Sequence, residues 1–491
     1  MKTVKCLMVG AFALLLLVPL ATFRREPGIV SEIDNRMLQE FPFSPEELAK
    51  GGDMTAKVES YVSDRIGFRD QMILGFTQFN DKFFGKMVHP SYCWGKEGYI
   101  YFVPSIRTAN EAYYTAFADM VRAMQDYCED RSVPFLFVFE PMKEVVLPEY
   151  VPVGENYDHW GAERLFSLLE ERGVRYLDMT GLLRKLTEAG ETVFDQKNDA
   201  GHWNELGAYY VTNAVLEELK TDFPGLRPLR LEDLEISETL QESLSVSRFE
   251  IHEWVPFITL PDRQQTIIIT EEMRSELELD PSYQEVGGWQ DPERLAQGAP
   301  RTLMFQGSHM NASGRKFLRN ALGEYDYIHN YQNVINFDYY FNIFQPECVV
   351  FEVAEFVLRF NSYFDQKNMS AFRLNPTLDS VLSRAGEPEP LKGVSVQKGQ
   401  ALTKLLWTGG PDWIPEEREA PYVWAVLNGT PYDMRRSAGG GWEVTMKNED
   451  WDRSGGAVGI AVLDGETVTL LGEWPEEAAS GLKVSLQETW N

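Results

Sequence analysis

The run Val133-Pro134-Phe135-Leu136-Phe137-Val138-Phe139 decides the fold of this chain of 491 residues. It is short, uncharged and rich in β-prone side chains, which predicts a strand buried on both faces. A helical pattern precedes it over residues 112–128, and another follows over residues 161–172. The next apolar segment, residues 174–178, predicts a second strand. Strands that alternate with helices in this way predict an α/β fold with a parallel sheet flanked by helices.

The alternation continues further along the chain. Helices are predicted over residues 182–189 and 205–220, and Asn204 is suited to cap the second of them. Between residues 221 and 300 the alternation of predicted helices and strands is less regular. Further strands are predicted at residues 267–270, 302–305, 334–337 and 348–353. We therefore expect the α/β domain to span residues 93–385.

Two smaller regions flank this domain. Residues 25–92 are predicted to be mainly helical, and Gly95–Phe102 predicts a hairpin that follows them. Residues 393–491 contain short β-prone runs separated by glycine-rich turns, which predicts a small antiparallel, sandwich-like β domain. Its tryptophans are either core residues or a platform for sugars, so carbohydrate binding by this domain stays open. The three in question are Trp407, Trp413 and Trp442.

The first 24 residues have the pattern of an export segment. Lys2 and Lys5 precede eighteen uncharged residues, Cys6–Phe23, and Arg24-Arg25 follows. This length is close to the minimum for a spanning helix. Because Pro19-Leu20-Ala21 is a poor cleavage site, an uncleaved signal anchor is favoured over a released signal peptide, and both readings stay open. Either one places the body of the protein outside the cytoplasm, on the membrane or secreted.

The composition excludes several classes of partner and cofactor. The chain has 75 acidic and 46 basic residues, a net charge of −29, which makes nucleic acid an unsuitable partner. Three widely spaced cysteines outside the export segment form neither a disulfide framework nor a zinc pattern. Asp158-His159-Trp160 has no partner nearby in sequence, and no glycine-rich phosphate loop is present. We expect neither a metal nor a cofactor.

Ser308 is the candidate nucleophile. It follows a predicted strand, comes directly after Gly307, and precedes a helix predicted near residues 314–322. This position exposes a hydroxyl at the carboxyl edge of a parallel sheet, where ligands bind in open α/β folds. Backbone N–H groups of the turn can also face a developing oxyanion. The alternative is a serine that only caps the helix.

Asp199 and His202 supply the other two groups that a serine nucleophile needs. A histidine accepts the proton of the serine, and a carboxylate orients that histidine. Both residues follow the strand-like segment Thr192-Val193-Phe194. His309 is a rival base, but neighbours on a sharp turn usually point in different directions. Asn311 is a candidate for assisting at the oxyanion, or a turn residue.

Several motifs in order along the chain resemble one family. Asp64–Asp70 is similar to the early arginine-rich motif of alginate O-acetyltransferase-like, SGNH-hydrolase-type proteins, including the bacterial DHHW group. Gly95–Tyr99 resembles the glycine hairpin of that family, and Pro141-Met142-Lys143 resembles its proline-lysine segment. His202-Trp203-Asn204 with Gly207-Ala208 resembles its histidine-tryptophan block, and the strand with Phe351-Glu352-Val353 also fits. Together these motifs cover residues 34–385.

Two features depart from the family pattern. The family commonly has an acid between the glycine and the nucleophile, whereas this chain has Gln306-Gly307-Ser308. In the family one residue commonly lies between the acid and the histidine, whereas two residues lie between Asp199 and His202.

The resemblance implies a serine-dependent acetyltransferase or esterase that acts on cell-surface polysaccharide outside the membrane. Ser308, His202 and Asp199 would be its catalytic residues, and the acyl donor would come from a partner such as a membrane acyltransferase. The alternative is an inactive glycan-binding or envelope-assembly protein that keeps the fold.

Overall fold

The computed structural model describes most of the chain. It covers residues 2–31, 33, 36–49, 52–89, 91–103, 110–154, 160–245, 247–358, 363–409 and 421–474. Trp413 and the pair Asp158-His159 lie outside these residues.

An apolar helix opens the chain. Helix α1 (Lys2–Ala21) is long and apolar enough over Thr3–Ala21 to cross a membrane, and none of that span is buried. A signal sequence has the same properties, so both readings of the export segment are compatible with it. Short strands β1 (Val30–Ser31) and β2 (Arg36–Met37) pair antiparallel behind it.

From residue 45 to residue 84 the chain is mainly helical. The helices of this region are α2 (Pro45–Ala49), α3 (Met54–Arg65) and α4 (Arg69–Phe84). Arg65 at the end of α3 is buried and donates to the carbonyl oxygens of Gln39 and Glu26. Asp64 accepts a hydrogen bond from the backbone N–H of Gln39 at 2.9 Å. The arginine-rich motif therefore fixes the chain segment that follows α1.

The α/β part has eleven strands and eleven helices within the described residues. The strands are β3 (Tyr92–Trp94), β4 (Ile100–Phe102), β5 (Phe135–Glu140), β6 (Tyr176–Asp178), β7 (Glu235–Ser243), β8 (Glu250–Thr259), β9 (Thr266–Ile267), β10 (Val286–Gln290), β11 (Arg301–Gln306), β12 (Glu324–His329) and β13 (Cys348–Ala354). The helices are α5 (Glu111–Glu129), α6 (Lys143–Val146), α7 (Trp160–Glu171), α8 (Thr180–Glu188), α9 (Glu205–Leu219), α10 (Glu271–Glu276), α11 (Pro292–Ala296), α12 (Arg315–Ala321), α13 (Phe337–Phe344), α14 (Glu355–Leu358) and α15 (Gln366–Ser370).

The central sheet has the strand order β6-β5-β13-β11-β12-β10-β9. The first five strands run parallel, and β10 and β9 add an antiparallel edge, so the sheet is mixed. The predicted α/β class, in which helices flank a sheet of parallel strands, is confirmed. Because β5, β11, β12 and β13 are parallel, their carboxyl ends meet at one edge of the sheet.

Two apolar layers cover this sheet. On one face Phe137, Phe305 and Phe351 pack under α5 and α13. On the other face Met304 and Val350 pack under α9 and α12. The continuous apolar pattern of β5 follows from this double burial, since all six of its residues are buried.

Two predicted strands are wrong. Residues 334–337 lie in a 3-10 turn (Tyr331–Asn336) and the start of α13, where Phe337, Tyr340 and Phe344 are buried at helical spacing. Residues 192–194 form a loop, because the carbonyl oxygens of Thr192 and Val193 accept hydrogen bonds from Asn204 instead of a neighbouring strand.

The C-terminal region is a single curled sheet. After α16 (Asp379–Leu382) come β14 (Val394–Lys398), β15 (Leu402–Trp407), β16 (Tyr422–Leu427), β17 (Thr430–Arg436), β18 (Trp442–Lys447), α17 (Asn448–Arg453), β19 (Gly459–Asp464) and β20 (Thr467–Gly472). The order β14-β15-β18-β17-β16-β19-β20 is antiparallel throughout, which confirms the predicted β class. Strand β17 pairs with β16 along most of its length and with β18 only through Arg435 and Arg436. The sheet therefore curls around one core, in which Trp407 and Trp442 are buried.

Candidate active site

Ser308 stands where β11 leaves the sheet. The strand ends at Gln306, Gly307 forms the turn, and Ser308 begins a helical segment that continues through a π-helical turn (Met310–Gly314) into α12. The backbone N–H of Asn311 closes the first turn by donating to the carbonyl oxygen of Gly307 at 3.0 Å. The hydroxyl of Ser308 is thus presented at the carboxyl edge of the parallel strands, as the sequence predicts.

Asp199 and His202 come to the same edge on the loop that precedes α9. Asn204 caps that helix, since its Oδ1 accepts from the N–H groups of Leu206 and Gly207 at 3.1 and 3.0 Å. The cap fixes the residue at which the loop ends. Gly201 lies against the ring of Phe102, and a Cβ at this position would lie 2.5 Å from that ring. Glycine is required here because the loop passes so close to β4.

The three predicted side chains form one hydrogen-bonded chain. Nε2 of His202 lies 2.9 Å from Oγ of Ser308, and Nδ1 lies 3.0 Å from Oδ2 of Asp199. Oδ1 of Asp199 also accepts from the backbone N–H groups of Gly201 and His202, both at 2.8 Å. The spacing of two intervening residues therefore allows the carboxylate to bind the loop and the imidazole together.

Electrostatics favour an ion pair between Asp199 and His202. Burial works against ionisation of Asp199, but His202 and the two backbone N–H groups outweigh it and hold the pKa of Asp199 well below its usual value. Burial also favours a neutral imidazole, but Asp199 outweighs this effect and raises the pKa of His202 above its usual value. The imidazole is therefore prepared to accept a proton.

His309 does not compete for the serine. Its side chain is buried, and within the described part of the chain neither ring nitrogen has a hydrogen-bond partner. The ring packs 4.5 Å from the ring of His202, centroid to centroid. Burial, reinforced by His202, lowers the pKa of His309 well below its usual value, so this ring is neutral. Its contact with His202 is one of packing.

Asn311 is held by neighbours other than Ser308. Its Oδ1 accepts from Nε2 of Gln306 at 2.6 Å, and its Nδ2 donates to Glu285. Gln306 also accepts from the hydroxyl of Tyr325. The glutamine that departs from the family pattern thus links β11 and β12 to the π-helical turn.

Lys143 holds the loop of Asp199 from behind. Its ammonium group is buried and donates to the carbonyl oxygens of Ile100, Gln196 and Asp199 at 3.0, 3.3 and 2.8 Å. Burial lowers the pKa of Lys143 to about 8. The proline-lysine motif identifies this residue in the sequence, but nothing in the motif indicates which carbonyl oxygens it binds.

Glu253 holds the same loop from the other side, and sequence reasoning missed it. Its carboxylate, on β8, accepts from the backbone N–H groups of Gln196, Lys197 and Asn198 at 2.6, 2.7 and 2.6 Å. Pairing with β7 keeps it in place. Since the hairpin itself was not predicted, no signal in the sequence could single out this glutamate.

Comparisons with known proteins agree with this architecture. Residues 93–254 match the family model described as "SGNH hydrolase-like domain, acetyltransferase AlgX". This range contains Asp199 and His202, and Ser308 follows it. The match confirms the resemblance that the ordered motifs predict. No curated protein matches the sequence significantly.

Solved structures that match this chain share little sequence with it. The O-acetyltransferase domain of Pseudomonas putida AlgJ is 14% identical over 58% of this chain and 99% of its own, with a TM-score of 0.40. A DHHW family protein from Eubacterium siraeum is 14% identical over 58% and 100%, with a TM-score of 0.39. Pseudomonas aeruginosa AlgX is 12% identical over 78% and 90%, with a TM-score of 0.37.

Proposed function

We propose that this chain is an extracytoplasmic, serine-dependent acyl transferase or esterase that acts on acetyl groups of a cell-surface polysaccharide. The observation that carries the proposal is the 2.9 Å contact between Ser308 Oγ and His202 Nε2, with Asp199 on the other ring nitrogen. An imidazole that bridges a hydroxyl and a carboxylate is the arrangement that activates a serine for acyl transfer. The family match of residues 93–254 supports the same chemistry.

In the first half of the reaction, Oγ of Ser308 attacks the acyl carbon. Its proton passes to Nε2 of His202, and Asp199 stabilises the imidazolium that results. The tetrahedral intermediate then collapses, the bond to the leaving oxygen breaks, and that oxygen takes the proton from His202. The product of this half is an acyl ester of Ser308.

In the second half, a hydroxyl replaces the departed group. A sugar hydroxyl or a water molecule loses its proton to His202 and attacks the acyl ester, and Ser308 regains the proton as it leaves. A sugar acceptor makes the protein a transferase, and water makes it an esterase.

Backbone N–H groups at the start of the Ser308 helix are suited to stabilise the oxyanion. The first N–H groups of a helix have no partner within it, and they carry partial positive charge. We assign this role to the N–H of Ser308 and its neighbour, and we keep Asn311 and His309 as candidates for an assisting role.

The setting of the site also belongs to the proposal. Residues 1–24 act as signal anchor or signal peptide and place the body of the protein outside the cytoplasm. An acyl donor, supplied for instance by a membrane acyltransferase, and a polysaccharide are its partners. We assign residues 25–92 to a helical region, 93–385 to the domain that holds the site, and 393–491 to a β domain whose glycan binding is undetermined.

The first test is the replacement Ser308→Ala. Acetyl release from an activated acetate ester should fall by on the order of 10³-fold or more, because the nucleophile is gone and only binding and the oxyanion donors remain. Mass spectrometry of the native protein after a short reaction should show an acetyl group on Ser308.

The matched control is Ser313→Ala, which removes a hydroxyl from the same helical segment without touching His202. Its turnover should equal that of the native protein. Turnover by Ser308→Ala at the native rate would overturn the assignment. Glycan binding that survives in Ser308→Ala, with no acyl-enzyme in the native protein, would favour a non-enzymatic role.

A further inference from the structure

Two buried glutamates lie directly beneath the Ser308 turn. Glu140 is the last residue of β5, and Glu352 lies near the end of the adjacent parallel strand β13; both are fully buried. In the register of these strands Glu352 pairs with Val138 and Ala354 pairs with Glu140. Paired residues of parallel strands point to the same face, so the two carboxyl groups share one side of the sheet.

The two carboxyl groups lie close together, and a hydrogen bond between them requires that one of them carries a proton. Burial, reinforced by the charge of Glu352, raises the pKa of Glu140 well above its usual value. Burial also raises the pKa of Glu352, but hydrogen bonds from Glu140 and from the backbone N–H of Gly307 oppose the rise. The pKa of Glu140 is raised more strongly, so a single proton on the pair resides on Glu140 and leaves the negative charge on Glu352.

Glu352 is connected to the nucleophile through the backbone. Its Oε2 accepts from the N–H of Gly307, the residue immediately before Ser308. Asn330, at the end of β12, donates from Nδ2 to the carbonyl oxygen of Glu352 at 2.6 Å. The peptide unit that carries Ser308 into its turn is thus held by a charged acceptor, a stronger bond than a neutral one.

The charge of Glu352 also acts on His202. It adds to the effect of Asp199 in raising the pKa of that imidazole. Three other ionisable groups close to these residues are neutral, because burial lowers the pKa of the histidine and raises the pKa of each tyrosine. These groups are His309, Tyr325 and Tyr331.

We propose that Glu352 is a positioning residue of the Ser308 turn whose negative charge supports the imidazolium of His202, and that protonated Glu140 holds that charge in place. The proposal rests on the proposed function, because the imidazolium forms only if Ser308 acts as nucleophile. Neither glutamate touches the reacting atoms. Their effect is exerted through Gly307 and through the field at His202.

The test compares amide variants of the two acids. Glu352→Gln keeps an oxygen for the N–H of Gly307 but removes the charge. We expect kcat for an activated acetate ester to fall about tenfold, and the acid limb of kcat/KM to move about half a pH unit downward, because less charge supports protonated His202. Glu140→Gln replaces the protonated acid with an amide that still donates to Glu352, so its acid limb should stay at the native pH.

A merely structural role for Glu352 predicts a different outcome. Glu352→Gln would then lose thermal stability while its acid limb stayed at the native pH, which would overturn the proposal. If the acid limb of Glu140→Gln moved downward as far as that of Glu352→Gln, the assignment of the proton to Glu140 would be overturned. The matched control is Glu347→Gln at the opposite end of β13, where Glu347 pairs with Arg301 on the surface. This change should leave the acid limb of kcat/KM at the native pH.

A direct titration separates this proposal from the proposed function. The imidazole of His202 is followed by NMR across pH in the native protein and in Glu352→Gln, and its pKa should be lower in the variant. That result would stand even if Ser308 formed no acyl-enzyme. If Glu352→Gln does not fold, Glu352→Asp keeps the charge but withdraws it from Gly307, and it should turn over more slowly with the imidazole pKa still above its usual value. A native rate in Glu352→Asp, or an imidazole pKa at its usual value, would contradict the proposal.

Discussion

Each side chain of the candidate site is held by a neighbour of a different kind. A carboxylate beneath the turn, Glu352, binds the N–H of Gly307 and so fixes the approach to Ser308. Asp199 holds one nitrogen of His202 and leaves the other for the serine. Lys143 in turn binds the carbonyl oxygen of Asp199 from the interior. The geometry of the candidate site therefore depends on buried ionisable groups that each bind a specific backbone group.

The pH dependence of the reaction follows from the Asp199–His202 pair. The pKa of His202 is raised, so the imidazole stays protonated, and unable to accept the proton of Ser308, up to a pH above the ordinary histidine value. We expect kcat/KM for an activated acetate ester to fall as the pH drops through the pKa of His202, which forms the acid limb of the pH–rate profile.

Asp199→Asn should both move the acid limb of the pH–rate profile and slow the reaction. Loss of the carboxylate lowers the pKa of His202, so the acid limb moves to lower pH. Turnover falls by on the order of 10³-fold, since the ring loses both its orientation and its counter-charge. A pH–rate profile of both proteins measures the two effects. An acid limb at the native pH in Asp199→Asn would contradict the assigned role of Asp199.

At the scale of elements, a hairpin steadies the loop that carries the site. Strand β8 contributes Glu253, which accepts three consecutive backbone N–H groups of residues 196–198. Ser245, in the connection between β7 and β8, donates its N–H to the carbonyl oxygen of Asn198 at 2.7 Å. The long β7–β8 hairpin thus replaces the strand that was predicted at 192–194 as the support of Asp199.

We predict that Glu253→Ala loosens this loop. The three N–H groups lose a charged acceptor, so the free energy of unfolding should fall by about 2 kcal/mol and acylation of Ser308 should slow about tenfold. Denaturant unfolding and stopped-flow acylation measure the two effects. Glu250→Ala changes an exposed glutamate on the same strand and should leave both unchanged. Equal behaviour of the two variants would show that Glu253 does not hold the loop.

The sequence predicts those elements whose pattern matches their burial. Strand β5 is apolar on both faces, and α9 has Asn204 at its start, so both are found within a residue or two. Strand β12 was missed because Glu324 and Asp326 interrupt its apolar residues although both are buried. Strand β7 was missed for the opposite reason, since it is exposed along nearly all of its length.

The candidate site was predictable only in part. Ser308, His202 and Asp199 belong to types and positions that acyl-transfer chemistry needs, so they can be chosen from the chain alone. Glu253 binds backbone N–H groups 55 to 57 positions away, and Glu140 lies beside Glu352 of another strand. Contacts of that range depend on strand order and register, which local patterns do not determine.

At the scale of the whole molecule, the curled C-terminal sheet is joined to the α/β part through Asp433 of β17. This buried carboxylate accepts from the hydroxyl of Tyr127 and from Arg131 at 3.2 Å. Asn342 exchanges two further hydrogen bonds with the backbone of Asp433. Residues 131 and 342 lie shortly before β5 and β13 begin, so this contact is at the amino ends of the strands, away from Ser308.

Asp433→Ala should therefore affect stability without affecting chemistry. Removing one partner of a buried pair leaves Arg131 uncompensated, which should lower the free energy of unfolding by about 3 kcal/mol and the Tm by several degrees. Acylation of Ser308 at 25 °C should keep its native rate. Asp452→Ala, which breaks an exposed pair with Lys398, is the control and should leave Tm unchanged. A slower acylation in Asp433→Ala would show that the two parts of the molecule are coupled.

Under the proposed function, helix α1 has a geometric consequence for which polymer strands Ser308 can reach. While this helix is retained in the membrane, Ser308 cannot travel further from the bilayer than the folded body extends, on the order of 60 Å for a chain of this size. Polymer strands within this distance of the bilayer would have repeated access to Ser308, and strands beyond it would have none. If the helix is retained in the membrane, acetyl groups would be dense on polymer near the bilayer and sparse at the outer surface. A released protein would instead acetylate the polymer uniformly.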